Sequence, residues 1–222
     1  MSEKRNDIFH AFLLKNANYD GIFEIPIIKP TNSIPTKVIP FSKAYTARKQ
    51  KNIDYDMFIS FYEHDDKFER VWNRPDIYLP FLQKFKGVIS PDFSLYRNMP
   101  LIMQGWNTYR GKALAHYFQE NGIIVIPNVR FGDERTFDFC FDGVPKNSIV
   151  SVGTHGCIKQ KLDKYYFKIG LEQLVNVLSP HTIVVYGSAP DELFLKYKQQ
   201  GIHILQFHSS TSQYHDSKKV VI

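Results

Sequence analysis

The chain is poor in cysteine and tryptophan, has no long apolar run and carries no low-complexity tract. Its two cysteines, Cys140 and Cys157, are too few for a disulfide framework in a chain of 222 residues. No segment approaches the roughly 18 consecutive apolar residues that a membrane span needs. The opening residues, MSEKRNDIFHAFLLKN, contain no apolar stretch of signal-peptide length. These absences predict a protein of a reducing cytoplasm with no membrane partner. Familiar nucleotide motifs are missing too. The loop GTHGC (153–157) is not followed by Gly-Lys-Ser/Thr, and it lacks the dinucleotide fingerprint. His155 and Cys157 lie two apart and Cys140 has no close His neighbour, which falls short of the four ligands of a structural zinc site.

Aromatic residues, in contrast, are abundant. With 43% hydrophobic residues, 18 Phe and 13 Tyr, the chain has material for a substantial core. Any aromatic surplus would suit a ligand groove or base stacking. The 28 Lys and Arg exceed the 22 Asp and Glu by six, a moderate basic bias that favours polyanionic partners.

Six apolar, largely β-branched runs punctuate the chain, at 57–62, 87–90, 123–129, 148–153, 182–187 and 202–207. Helical segments separate them. One runs from about Leu101 to Glu120 and stops at Asn121-Gly122; others lie near 160–178 and 190–200, and a shorter helix starts near Glu134. Such alternation predicts an α/β fold with a mainly parallel sheet of about six strands and crossover helices. An open, doubly wound sheet is favoured. The alternative is a barrel completed by N-terminal segments, since six strands are few for the eight of a closed α/β barrel. Residues 1–54 read as an extended N-terminal segment and basic linker packing on the core. Pro26, Pro30, Pro35 and Pro40 suit edge segments, and 43–51 (KAYTARKQK) reads as an exposed basic arm. The core domain spans 55–208 and a tail follows at 209–222.

Ligands of parallel α/β folds bind at the carboxyl ends of the strands. There the sequence places Glu63 and His64, Asp92 and Arg97, Asn128, Arg130, Asp133 and Glu134, Thr154, His155 and Cys157. Plainer roles compete for several of them. Asp133 and Glu134 would suit a helix start, GTHGC a simple turn, and Cys157 a small buried site. On the helix, Asn107 and Arg110 sit among Trp106 and Tyr109, either as a snorkelling surface or as a grip for a carboxylate or phosphate.

The stretches FERVWNRPDIYLPFLQKFKGVISPDFSLYRNMPLIMQGWNTYRGKAL and GIIVIPNVRFGDERTFDFCFDGVPKNSIVSVGTHG, with SPDFSLY, WNTYR and RFGDERT as their most specific motifs, resemble an uncharacterised domain family. Bacteriophages, plasmids and integrative elements of mostly Gram-positive bacteria encode it. The resemblance covers about Phe12 to Phe207. It implies a mobile-element origin and a bacterial host cytoplasm, and it brings no catalytic residues.

Two functions follow as expectations. The first is an enzyme acting on phosphate-containing substrates, nucleic acid or nucleotide. In it Asp92, Asp133 and Glu134 hold Mg²⁺ or Mn²⁺, Arg97, Arg110 and Arg130 grip phosphate, Asn107, Asn128 and Thr154 bind the ligand, and His155 transfers protons. The second is a non-catalytic binder of nucleic acid, of a nucleotide signal or of a host protein, served by the basic arm and the aromatic residues.

Overall fold

The computed structural model describes residues 7–50 and 52–208. In chain order the elements are β1 (Tyr19–Asp20), β2 (Ile25–Pro26), β3 (Val38–Pro40), α1 (Phe41–Ala47), β4 (Phe58–Ser60), α2 (Glu69–Asn73), α3 (Pro75–Leu82), β5 (Gly87–Ile89), α4 (Leu101–Glu120), β6 (Val125–Ile126), β7 (Ile149–Gly153), α5 (Lys161–Leu178), β8 (Thr182–Tyr186), α6 (Asp191–Gln199) and β9 (His203–Phe207). Each of the six runs read from the sequence supplies a strand, and the helices near 101–120, 160–178 and 190–200 fall where expected. The helix expected from Glu134 is a single 3-10 turn, Glu134–Thr136. The proposed tail at 209–222 lies outside the described residues.

Strands β3 to β6 pair in parallel in that order, and β7 to β9 do the same. The two ladders meet at a parallel bridge between Asn128 and Ser151. Pro127 explains the interruption. It has no N–H to donate, so β6 stops at Ile126, while the Pro127 carbonyl still accepts from Ser151 N at 2.9 Å and Val129 N donates to Ser151 O at 2.9 Å. Small antiparallel β1 and β2 stand apart.

The parallel, open sheet agrees with the sequence reading. Its winding differs in one respect from the double winding favoured there. The strands follow one another without reversal, so there is no switch point, and right-handed crossovers place the helices on one face. The sheet curls instead. Phe58, Ile89, Ile126, Ile149 and Val184 from five strands form one cluster on the inner face, with Val38, Leu205 and Phe207 packed against it. In a flat sheet, β4 and β8 would stand about 19 Å apart. Here the rings of Tyr62, just past β4, and Tyr186, at the end of β8, stack with centroids 5.1 Å apart. The curl does not close, because β3 and β9 are not paired with each other.

The outer face carries the helices in two clusters. Ile59, Val88 and Val125 pack with Phe41, Val71, Leu82, Leu114 and Phe118, and Val150, Val152, Ile183 and Val185 pack with Leu171, Leu174, Leu178 and Phe194. Burial on both faces explains why β7 and β8 read as largely apolar runs. Helix α4 ends in a Schellman motif. Ile123 N donates to Phe118 O and Gly122 N to Gln119 O, both at 3.0 Å, with Gly122 at φ 81°. That turn delivers the chain into β6.

Of two N-terminal expectations, the edge position of the Pro40 segment holds and the open basic arm does not. Val38–Pro40 joins the parallel sheet as an edge strand beside β4, the position proline tolerates. The basic run begins in a helix, α1, rather than in an open arm, because Phe41 and Ala44 are buried against the core. Residue 51 of that run lies outside the described residues. Among the described residues no helix is long and apolar enough to cross a membrane.

Candidate functional site

A cleft of about 900 Å³ opens at the carboxyl ends of β4 to β8. Its floor is a buried polar network. The Tyr62 hydroxyl lies 2.9 Å from Asn128 Oδ1 and 2.7 Å from Ser151 Oγ. Asn128 Nδ2 donates to Asp92 Oδ1 at 2.8 Å, and Asn128 N donates to Ser90 Oγ at 2.7 Å. Arg130 Nη1 reaches Asp92 Oδ2 at 3.3 Å. From behind, Lys112 Nζ on α4 donates to the Asn128 carbonyl at 3.0 Å. The residues that follow β4, β5 and β6 are thereby locked to one another. Gly153 allows this closeness, since a Cβ there would lie 2.7 Å from the Tyr62 ring.

Burial sets the electrostatics of this floor. It pushes the Asp92 carboxyl above the ordinary carboxylate range, and the Arg130 charge and the Asn128 hydrogen bond reverse only part of that. Burial works against the Arg130 charge as well, but the Asp92 carboxylate and the neighbouring Cys157 and Tyr62 outweigh it and raise the guanidinium pKa. Burial also brings the Lys112 ammonium down to about 8. It raises the Cys157 thiol, which argues against a thiolate nucleophile. His155 is lowered by burial first, then by Lys159 and His64.

The walls come from the flanking loops. Glu63, His64 and Lys67 follow β4; Ser94, Tyr96 and Arg97 follow β5; Arg130 and Phe131 follow β6; His155, Gly156 and Cys157 follow β7; Asp163 and Tyr166 begin α5. Each acid on the walls has a protein partner. Glu63 accepts from Ser42 N and Ser42 Oγ. Asp163 accepts from Arg97 Nη2 at 2.7 Å, and Arg97 lies over the Tyr166 ring at 4.7 Å. Arg97 Nη1 is buried with no hydrogen-bond partner among the described residues. Asp92 engages one of the five donors of Arg130. The cleft therefore offers donors in excess of acceptors, with Lys67, His64 and His155 beside them.

Glu63, His64, Asp92, Arg97, Arg130, His155 and Cys157, all singled out from the sequence, meet in this cleft. Asn128 is its hidden hinge, 6% exposed. The others stand elsewhere. Asp133 caps its own turn: its carboxylate takes Arg135 N at 3.1 Å and Arg135 Nη2 at 2.8 Å, and the Arg135 hydrogen bond holds it below the usual range. Glu134 is exposed on that turn. The proposed metal set Asp92, Asp133 and Glu134 is thus not assembled, and among the described residues no three His, Cys, Asp or Glu side chains are grouped to hold an ion. The 3-10 turn spends Asp133 on its own backbone and neighbour. Asn107 and Arg110 brace the β5 loop from behind: Asn107 Nδ2 donates to Ser94 O at 2.7 Å, and Arg110 pairs with Glu69 at 2.6 Å over the Phe93 ring. Thr154 Oγ1 donates to Ser188 O at 2.8 Å, tying the GTHGC loop to the end of β8.

Sequence reasoning missed Tyr62, Tyr186, Lys67, Asp163 and Lys112. Tyr62 and Tyr186 carried a signal, since each ends an apolar run on the same alternation as the inner-face residues. Lys112 carried none, because its burial depends on how α4 packs.

Comparison with known proteins places the chain in a family. A family model described as a domain of unknown function (DUF4417) matches residues 17–208. The chain belongs to this DUF4417 family. It is 34% identical over 169 residues to the Gene 1 protein of Mycobacterium phage D29 and, equally, to that of Mycobacterium phage L5. The match covers 74% of this chain, 60% of the D29 protein and 71% of the L5 protein, so the chain spans under two thirds of the D29 relative. No solved structure matches. The DUF4417 domain is thus one that phages encode, in keeping with the family resemblance seen in SPDFSLY, WNTYR and RFGDERT.

Proposed function

We propose that the cleft binds the phosphate group of a nucleotide-type ligand, with Arg130 and Arg97 as its anchors, and that His155 and His64 move protons on that ligand. One observation carries the reading. Two guanidiniums, a lysine and two histidines face one concave site whose acids are already engaged by the protein. Phosphate, rich in acceptors and planar in its pairing with guanidinium, matches that donor surplus. The lowered His155 supports proton transfer, as an imidazole free to accept a proton near neutral pH is a competent general base. The reaction proposed runs through these side chains, since Asp133 and Glu134 do not line the cleft and Asp133 is engaged by Arg135.

The test is direct titration with nucleoside mono- and diphosphates, followed by a search for turnover. The Arg130→Met variant should lose roughly 10- to 100-fold in affinity, the effect of about 1.5–3 kcal/mol from a charge-assisted hydrogen bond. His155→Gln should bind as the native chain does and lose turnover. Binding that survives Arg130→Met and Arg97→Met together would sink the assignment. Native binding without turnover would support the non-catalytic alternative, with the same ligand in the same cleft.

A further inference from the structure

Building on the phosphate reading of the cleft, we infer that the ligand is a single strand of nucleic acid whose backbone leaves the cleft at Lys67 and crosses a face made by Arg70, Tyr45 and Arg48. Lys67 lines the cleft. Three residues further on, Arg70 donates through Nε and Nη2 to the Lys67 carbonyl, both at 3.1 Å, so its guanidinium is fixed against the backbone of a cleft-lining residue. Arg70 Cζ stands 5.3 Å from the centre of the Tyr45 ring, and Arg48 Cζ stands 3.7 Å from the same centre. One tyrosine thus holds two guanidiniums. Arg48 also donates to the Tyr45 carbonyl. Among the described residues neither arginine has a carboxylate within ion-pair distance, and Lys43 and Lys49 are exposed nearby.

The acids of this region do not neutralise the path. Asp65 binds Ser94 N and Oγ, Glu69 takes Arg110, and Glu63 takes Ser42. Among the described residues only Asp66 touches it, 3.7 Å from Lys67 Nζ. Guanidiniums held by an aromatic face and by backbone carbonyls stay charged, fixed and open to solvent, which suits successive phosphates. A mononucleotide in the cleft would leave this face unused, whereas a polymer uses both. The polymer is single-stranded because a paired base is sealed inside a duplex. A recess of about 900 Å³ receives an unpaired base and its phosphate. Tyr96, 54% exposed on the cleft wall, offers a face on which such a base stacks.

The test compares a single-stranded oligonucleotide of about ten residues, as DNA and as RNA, with its duplex, with a nucleoside diphosphate and with heparin. Each is titrated into the native chain and into Arg48→Gln/Arg70→Gln, whose folding is checked by thermal melting. The native chain should bind the strand more tightly than either the duplex or the diphosphate. The double variant should lose about tenfold for the strand, keep the diphosphate affinity, and show a shallower salt dependence by about 1.4 in slope, for two lost phosphate contacts at roughly 0.7 each. Preference for DNA or RNA names the strand. Unchanged strand affinity and slope in the double variant would overturn the inference, as would a duplex or heparin that binds as tightly as the strand. A diphosphate that binds while the strand gains nothing removes this inference and leaves the cleft reading intact. A chain that binds neither loses both.

Discussion

Asp92 and Asp133 follow neighbouring strands, sit in loops of similar composition and look alike in the sequence. The structure sends them to opposite fates. Asp92 turns into the curled sheet, 7% exposed, where Asn128 and Arg130 take its two oxygens. Asp133 turns back on its own chain, where Arg135 and the Arg135 amide take the carboxylate. Burial raises the first acid and hydrogen bonding lowers the second. A carboxylate at the carboxyl end of a strand thus becomes part of a site only when the following backbone leaves its oxygens to other elements. The 3-10 turn at 134–136 removes Asp133 from that role.

Variants sharpen the contrast. Asp92→Ala should cost most. It strands the Arg130 guanidinium and Asn128 Nδ2 in a buried setting, and denaturant unfolding should show a loss of about 3 kcal/mol. Tyr62→Phe should come next, at about 1–2 kcal/mol, because Asn128 Oδ1 and Ser151 Oγ lose a buried partner. Asp133→Ala removes a cap and its Arg135 contact and should cost about 1 kcal/mol.

The pH dependence should separate the two acids by sign. Asp133 has a folded pKa below its ordinary 3.8, so its contribution is present above that value and is lost as pH falls through the folded pKa. The stability gap between the native chain and Asp133→Asn should therefore shrink in acid. Asp92 has a folded pKa above 3.8. Its contribution is fully present below 3.8 and is lost as pH rises through the folded pKa, so the native chain should gain on Asp92→Asn in acid. Parallel acid titrations of the three proteins check this, and curves of the same sign would show that the two acids do not differ in this way. Glu134→Ala, on an exposed turn, should lie within about 0.5 kcal/mol of the native chain and should leave ligand binding unchanged.

The same contrast explains how far the sequence could be read. Strands such as 148–153 and 182–187 were legible because burial on both faces favours largely apolar, β-branched-rich runs, and α4 was legible through its Asn121-Gly122 stop. The curl of the sheet was not. It depends on a strand order without reversal, and local pattern carries no strand order. For the site, position in the fold was legible and side-chain direction was not. Arg97, Arg130, Asp92 and His155 face the cleft. Asn107 and Arg110, equally polar and equally close in sequence, brace its back wall because α4 packs that face against Ser94 and Glu69. Lys112 shows the limit most clearly: a lysine in a helix reads as solvated, yet packing buries it at 4% exposure under the Asn128 carbonyl.

On the proposed reading, the cleft floor presents Arg130 to a phosphate group. The most direct measurement is calorimetric titration of a nucleoside diphosphate into the native chain and into Arg130→Met, with melting curves confirming that both are folded. The native chain should bind saturably, and the variant should bind roughly 10- to 100-fold more weakly. Equal affinity in two folded proteins would contradict that reading.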